Sequence, residues 1–420
     1  MSRKIVALLW IPLVIGGCQT YGLVHAPGGN KKAAETPIIE GSFADDLAFL
    51  QAHTPVVVIK DRSGQGQVAV LPNMQGRVMT STASGAEGLS FGWVNRELMA
   101  SGQFVEHMNA FGGEDRFWLG PEGGQFSIFF AKGVPFDLEH WFTPAAIDTE
   151  PWELTNRGAH AVMLQKTMQL TNYSGTVFNV RVHREVRVLN RDDALRTLGL
   201  SAAADVNLVA FESNNRLVNT GSQTWTKETG LLSIWILGMF TPSPETTIVI
   251  PYQVGPEGEL GPVVKDDYFG KVPEDRLVIK EGVLFFRGDG QYRSKIGLSP
   301  RRAKSVAGSY DAAHKVLTIV QYNKPEGVVD YVNSAWALQQ EPYRGDVVNS
   351  YNDGPASPGA KPMGPFYELE TSSPAAALRL GEGILHTHRT FHFAGTEAQL
   401  DPIARVVLGT SLAEIKAALP

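Results

Sequence analysis

The sequence predicts an all-β protein of mainly antiparallel sheets with a short helix near each end. Three observations lead there. More than a dozen short runs rich in Val, Ile, Thr and aromatic residues alternate apolar with polar positions, the period of a strand with one buried and one wet face. Gly and Pro punctuate the runs at turn-like intervals, as at Gly64, Gly66, Pro72 and Gly76. Few connections are long enough for helical crossovers, so neighbouring strands should pair antiparallel.

The chain opens with a charged start, Arg3 and Lys4, then an apolar run from Ile5 to Ile15 that is too short to cross a bilayer as a helix. Gly16, Gly17 and Cys18 follow, the order of an export signal ending in small residues. A Cys directly after small residues resembles the lipobox of bacterial lipoproteins. That resemblance implies cleavage before Cys18 and acylation of it. Gln19, in place of Asp, implies sorting to the outer membrane in a cell that has one. Cys18 is the only cysteine, so no disulfide forms within the chain. We therefore expect residues 1–17 to be a lipoprotein signal peptide and residues 18–40 a flexible tether rich in Gly, Pro, Lys and Ala. Residues 41–420 should be a single domain, held at the cell envelope by lipid on Cys18.

Ser42 and Asp45 have capping-box spacing, so a short amphipathic helix should follow, burying Phe43, Leu47 and Leu50. Strand-like runs succeed it at Val56–Ile59, Val68–Leu71 and Arg77–Thr82. Alternation is clearest from Val177 to Leu189, where Phe178, Val180, Val182, Val186 and Val188 share one face. Arg184 interrupts that face and needs a partner or a strand end. Further runs are Val162–Thr171, Asn207–Asn214, Leu231–Leu237, Thr246–Tyr252, Leu277–Arg287, Lys315–Tyr322, Tyr331–Leu338, Phe366–Thr371 and Ile384–Phe393. Asp401 to Leu419 reads as a final helix.

Composition excludes some functions. The net charge of −6 becomes −8 once Arg3 and Lys4 are removed with the signal, the wrong sign for a nucleic-acid footprint. No phosphate loop, dinucleotide fingerprint or serine-hydrolase elbow occurs, so no cofactor is expected.

Several clusters could carry chemistry. Glu114, Asp115, Arg116 and Glu122 surround Trp118 in a Gly-flanked segment; they could position sugar hydroxyls or form a structural turn in which Arg116 pairs with an acid. Glu368 and Glu370 lie two apart on one strand and share a face, where repulsion could raise one pKa. His386, His388 and His392 share strand parity. A polar, exposed face is the expectation for them, and no metal is expected. His107, His140, Trp141 and, on a long loop, Tyr268 could line a cleft.

Three stretches, taken together and in order, resemble uncharacterised bacterial proteins related to galactose mutarotase. They are Asn109-Ala-Phe-Gly-Gly-Glu-Asp-Arg-Phe-Trp-Leu-Gly-Pro-Glu122, Asn219-Thr-Gly-Ser-Gln-Thr-Trp225, and Phe366-Tyr-Glu-Leu-Glu-Thr-Ser-Ser-Pro374 followed by Gly381-Glu382. The whole chain most resembles the DUF6786 family. The resemblance implies a galactose-mutarotase-like supersandwich with a sugar-sized cleft, and hence a carbohydrate ligand. Leu369-Glu370-Thr371 matches the triplet that holds the general base of aldose 1-epimerases, with Ser372 where those enzymes have Gln. The middle strands that would hold their His acid, Asn207 to Ser213 and Ile236 to Pro242, contain no His. The expectation is thus carbohydrate binding or acid–base processing, with Glu370, Glu122, His107 and His388 as catalytic candidates. Asp115, Arg116, Trp118, His140, Trp141 and Tyr268 are the binding candidates. A non-catalytic glycan-binding lipoprotein and a structural envelope protein are the alternatives.

Overall fold

Why the domain folds as layers follows from where its strands put their apolar faces. The computed structural model describes residues 41–201, 206–357 and 359–420; the signal-like segment, Cys18 and the tether lie outside them. Within the described residues, the Val177–Val188 strand buries Phe178, Val180, Val182, Val186 and Val188 while its other residues stay more open. Arg184 sits on that same buried face, and its partner is Asp115, at 2.7 Å.

Three antiparallel sheets result. A ten-stranded sheet runs in the order Leu277–Lys280, Val283–Arg287, Thr246–Pro251, Val306–Asp311, Val316–Tyr322, Gly383–Ala394, Asn207–Asn219, Val177–Val188, Ala161–Thr171, Glu153–Arg157. A five-stranded sheet runs Ser294–Leu298, Val348–Asn352, Tyr367–Ser372, Ser233–Phe240, Arg116–Gly120. A smaller one joins Val57–Lys60, Gln67–Leu71 and Arg77–Thr82. The first two pack face to face. Phe117, Leu119, Ile234 and Ile236 of the five-stranded sheet share a core with Val162, Val180 and Phe211 of the ten-stranded one. The predicted antiparallel sandwich is present.

Both expected end helices are present, the second in altered form, and four short helices that were not expected, Arg96–Ser101, Ala145–Asp148, Arg191–Thr197 and Glu257–Leu260, lie between them among the described residues. Ser42 caps the helix Phe43–His53, its hydroxyl accepting from the Asp45 N–H. The C-terminal helix is two, Glu397–Leu408 and Leu412–Lys416. Gly409, at φ +74°, ends the first as a left-handed cap. Two expected strands also differ. Leu277 to Arg287 is a hairpin that turns at Gly282. Tyr331 to Leu338 forms no strand: Tyr331 makes one isolated bridge to Arg344, and beyond it the Gln339 amide donates to the carbonyls of Asn333 and Ala335.

The layer between the two large sheets is partly polar. Asp115 and Arg184 are wholly buried there. His392 pairs with Glu114 at 2.8 Å, and the Thr371 hydroxyl lies 2.8 Å from His386 Nε2 and 2.9 Å from His388 Nδ1. The exposed histidine face expected from the sequence is therefore an interlayer one, with all three rings buried. Burial lowers His386 to about 3, with His388 adding to the effect. Burial likewise lowers His388 to about 4, so both rings are neutral at neutral pH.

Candidate functional site

Strand register decides which side chains meet. In the five-stranded sheet, Gly297, Asn349, Glu370, Leu237 and Arg116 form one cross-strand row. Lys295, Tyr351, Glu368 and Met239 form the next, and Ser372, Trp235 and Trp118 a third. Cross-strand partners share a face, so Arg116, Trp118, Trp235, Lys295, Glu368 and Glu370 project together from the face turned away from the ten-stranded sheet. Residues one step along, such as Phe117, Leu369 and Thr371, point the other way into the sandwich.

Charge and hydrogen bonding tie this face together. Glu370 Oε2 accepts from Lys295 Nζ at 3.0 Å and from the Trp235 indole N–H at 3.0 Å. Arg116 donates to Glu368 Oε1 at 2.8 Å, and its guanidinium lies 4.6 Å from the Trp118 ring centre. Burial pushes Glu368 up to about 8, Arg116 and Lys295 opposing and Glu370 adding to the rise. Glu368 thus holds a proton to higher pH than an ordinary carboxyl does, beside Glu370. Burial alone would lower Lys295, but Glu370, Glu122 and Glu368 together hold it above the ordinary lysine value.

Glu122 lies two residues beyond the Arg116–Gly120 strand and is anchored by its backbone N–H, which donates to the Ser334 hydroxyl at 3.1 Å. Burial raises its carboxyl, with Lys295 opposing and Glu370 adding to the rise. Tyr268 closes one side: its hydroxyl donates to Asp346 and accepts from Asn349. Burial, then the neighbouring Asp346, holds the phenol well above its usual value. On the other side Trp118, Trp141 and Trp336 pack with Phe129 and Trp235. Glu122, Lys295, Tyr268, Arg293 and Trp336 are half-buried; they rim a recess whose floor is the buried Glu368, Glu370 and Trp235.

Four buried polar atoms at this recess have no protein partner: Glu370 Oε1, Arg116 Nε and the indole nitrogens of Trp118 and Trp141. An unpaired buried polar group costs about 1–3 kcal/mol. A donor or acceptor arriving from outside would offset that cost.

The structure brings together Glu370, Glu122, Arg116, Trp118, Trp141 and Tyr268. It sends the other candidates elsewhere. Asp115 and His388 lie between the sheets, Asp115 on Arg184 and His388 on Thr371. His140 is on the surface with Asp137, at 2.6 Å. His107 is half-buried, its Nδ1 2.8 Å from the Trp141 carbonyl oxygen and its ring 4.7 Å from that of Phe142. Lys295, Trp235, Arg293 and Trp336 were not singled out by sequence. Their strands and loops carry no recognisable motif; the one available signal was a lysine centred in the short run Ser294 to Leu298. Among the described residues, no three His, Cys, Asp or Glu side chains converge as metal ligands do.

Two concavities lie apart from this face. One, about 790 Å³, includes Arg187 and Arg389, which both pair with Glu212. The other, about 290 Å³, is an open apolar hollow around Met74, Met99 and Phe111. Neither gathers unpaired polar groups as the recess does.

The sequence matches a family described as one of unknown function, DUF6786, over residues 41–419. No curated protein matches it. Among solved structures, the fold is similar to a putative aldose 1-epimerase from Escherichia coli K12, at 13% identity and TM-score 0.48, covering 81% of this chain and 99% of that one. It is also similar to a galactose mutarotase-like protein from Lactobacillus casei, at 9% identity and TM-score 0.45, covering 80% and 100% of the two chains. A galactose mutarotase related enzyme from Lactobacillus acidophilus gives 10% identity, TM-score 0.45 and coverage of 81% and 98%.

Proposed function

This chain belongs to the DUF6786 family, whose function is unknown, and we propose that it binds a carbohydrate in the recess of its five-stranded sheet and acts on it by acid–base chemistry. Support comes from one arrangement: Glu370 beside Glu368, whose carboxyl burial raises, with the unpaired indole N–H groups of Trp118 and of Trp141 packed on it. Aromatic rings offer flat apolar surfaces to a sugar ring and N–H groups to its oxygens. A few convergent polar groups among aromatic side chains are what a small-molecule site needs.

In this reading Glu370 is the base, through its free Oε1, and Glu368, on the same strand, supplies the proton in place of the absent histidine. Lys295 and Arg116 stabilise negative charge as it develops. A second reading, glycan binding without turnover, is favoured by the burial of Glu370, which is only 1% exposed. Such a base reaches a substrate only if the rim moves.

We further propose that the protein is held at the cell envelope by lipid on Cys18, as its lipobox-like start implies. The recess is tested with a panel of glycans, read by calorimetry and by product analysis. Glu370→Gln should lower turnover by roughly 10²–10⁴-fold while binding survives. Sugar bound and recovered unchanged, with Glu370→Gln binding like the parent, would leave only the binding reading; no glycan bound would sink both.

A further inference from the structure

Around the recess, acids and bases are unevenly matched. The acids at the Tyr268 side are engaged by neutral donors. Asp346 accepts from the Tyr268 hydroxyl. Asp353 accepts from the Tyr351 hydroxyl at 3.0 Å and from the Gly364 N–H at 2.9 Å. Two cations at the same side are not engaged by acids. Arg293 lies over the Phe269 ring, 3.8 Å from its centre, and makes no ion pair or side-chain hydrogen bond within the described residues. Lys265 lies over the Tyr268 ring at 4.3 Å and has no ion pair either. Both are half-buried, and both act electrostatically on the site, Arg293 on Glu122 and Asp353, Lys265 on Asp346.

These two cations flank Lys295, whose ammonium also lies 5.8 Å from the Tyr268 ring. Phe269 links them to the sheet, its ring centre 6.0 Å from that of Tyr351. An arginine over an aromatic ring and without an acid partner keeps its fork of N–H donors available for a carboxylate, which such a fork grips through two parallel bonds. Burial holds the carboxyls of Glu122, Asp346 and Asp353 above their ordinary values.

We propose that the recess takes a sugar bearing a carboxylate, a uronate-type glycan, which Arg293 grips through its fork and Lys265 attracts. The idea rests on the carbohydrate reading above and narrows it to one substrate class. A neutral sugar would leave both cations unpaired; an anionic one satisfies them at the edge of the site, with its ring over the tryptophans.

The test compares a galacturonate trisaccharide with its methyl ester and with a sulfated galactose trisaccharide, by calorimetry on the full chain. The ester keeps the shape and removes the charge. The acid should bind at least about tenfold more tightly than the ester, the size of one charge-assisted hydrogen bond, and the difference should shrink with added salt. Arg293→Gln with Lys265→Gln should bring the acid down to the affinity of the ester, with an unaltered thermal midpoint showing that the fold is intact. Equal affinity for acid and ester, a preference that survives the double substitution, or stronger binding of the sulfated sugar would each overturn the proposal. Ester binding that is lost in Trp118→Ala, with no preference for the acid, would overturn the uronate assignment alone. Absence of binding by all three sugars would overturn it together with the carbohydrate reading.

Discussion

Lys295 Nζ and Glu370 Oε2 are 3.0 Å apart, the Glu370 side chain fully buried and the Lys295 side chain 12% exposed. They come from strands separated by one neighbour, since Val348–Asn352 runs between Ser294–Leu298 and Tyr367–Ser372. The bond therefore crosses over that strand along the face of the recess, fixing one carboxylate oxygen and leaving the other free.

Removing the lysine should expose how much this contact holds. Lys295→Met leaves Glu370 buried without its cation, and breaking a buried pair in this way costs about 3–5 kcal/mol. The urea midpoint should fall with an unchanged slope. Adding Glu370→Gln to Lys295→Met should recover part of the loss. A single variant as stable as the parent would show that the pair contributes nothing to the fold.

Glu368 sets a pH dependence of definite sign. Its carboxyl rises from 4.5 to about 8 on folding, so the folded chain binds the extra proton between those values. Its contribution is complete below about pH 4 and is lost as pH rises towards 8. Subtracting the stability of Glu368→Gln from that of the parent, by denaturant titration across this range, should give a difference that falls with pH. A difference that rises would mean Glu368 is a carboxylate throughout.

The interlayer pair Asp115–Arg184 gives a second test of buried charge. Arg184→Met should destabilise by about 3–5 kcal/mol, whereas Asp115→Leu with Arg184→Met should restore most of it, because no unpaired charge then remains. Equal losses in single and double variants would instead assign the cost to packing.

The proposed anchor is checked on the unaltered cell. Cys18→Ala should leave the precursor uncut or move the protein to the soluble fraction. Normal processing and membrane association in that variant would refute lipidation.

Legibility in the sequence followed alternation and apolar composition. The Val177–Val188 strand has one open face, so its alternation was visible and its limits came within a residue. Arg116–Gly120 and Val348–Asn352 are buried on both faces, which erases the period, and they lack the β-branched run that marked the equally buried Thr246–Pro251; both were missed although they carry Arg116, Trp118 and Tyr351. The pairing of Glu368 with Glu370 on one face was readable because strand parity is local. Which side of the sheet that face lay on was not, since it depends on register among strands far apart in sequence. Lys295 entered the site for that reason alone, being brought across the sheet by a strand that no motif marks. The same limit separated His388 from Glu370: each has the parity of its own strand, but the two sit on opposite sides of the five-stranded sheet.

The pair of residues Asp115 and Arg116 shows what this parity governs. They are adjacent, yet Asp115 reaches inward to Arg184 and Arg116 reaches outward to Glu368. The approach to them is constrained too. Gly112 and Gly113 have φ of +100° and +111°, and a Cβ on Gly112 would lie 2.0 Å from the Trp93 carbonyl oxygen. The segment therefore has little slack to absorb a change of phase. A residue inserted or deleted between Gly113 and Asp115 would turn the carboxylate towards the recess and the guanidinium into the core, bringing Arg116 against Arg184 and leaving Glu368 beside another acid. Cohesion of the layers and electrostatics of the recess would fail in one event, so length variation in this family should be excluded from this turn and admitted in the loops that rim the recess.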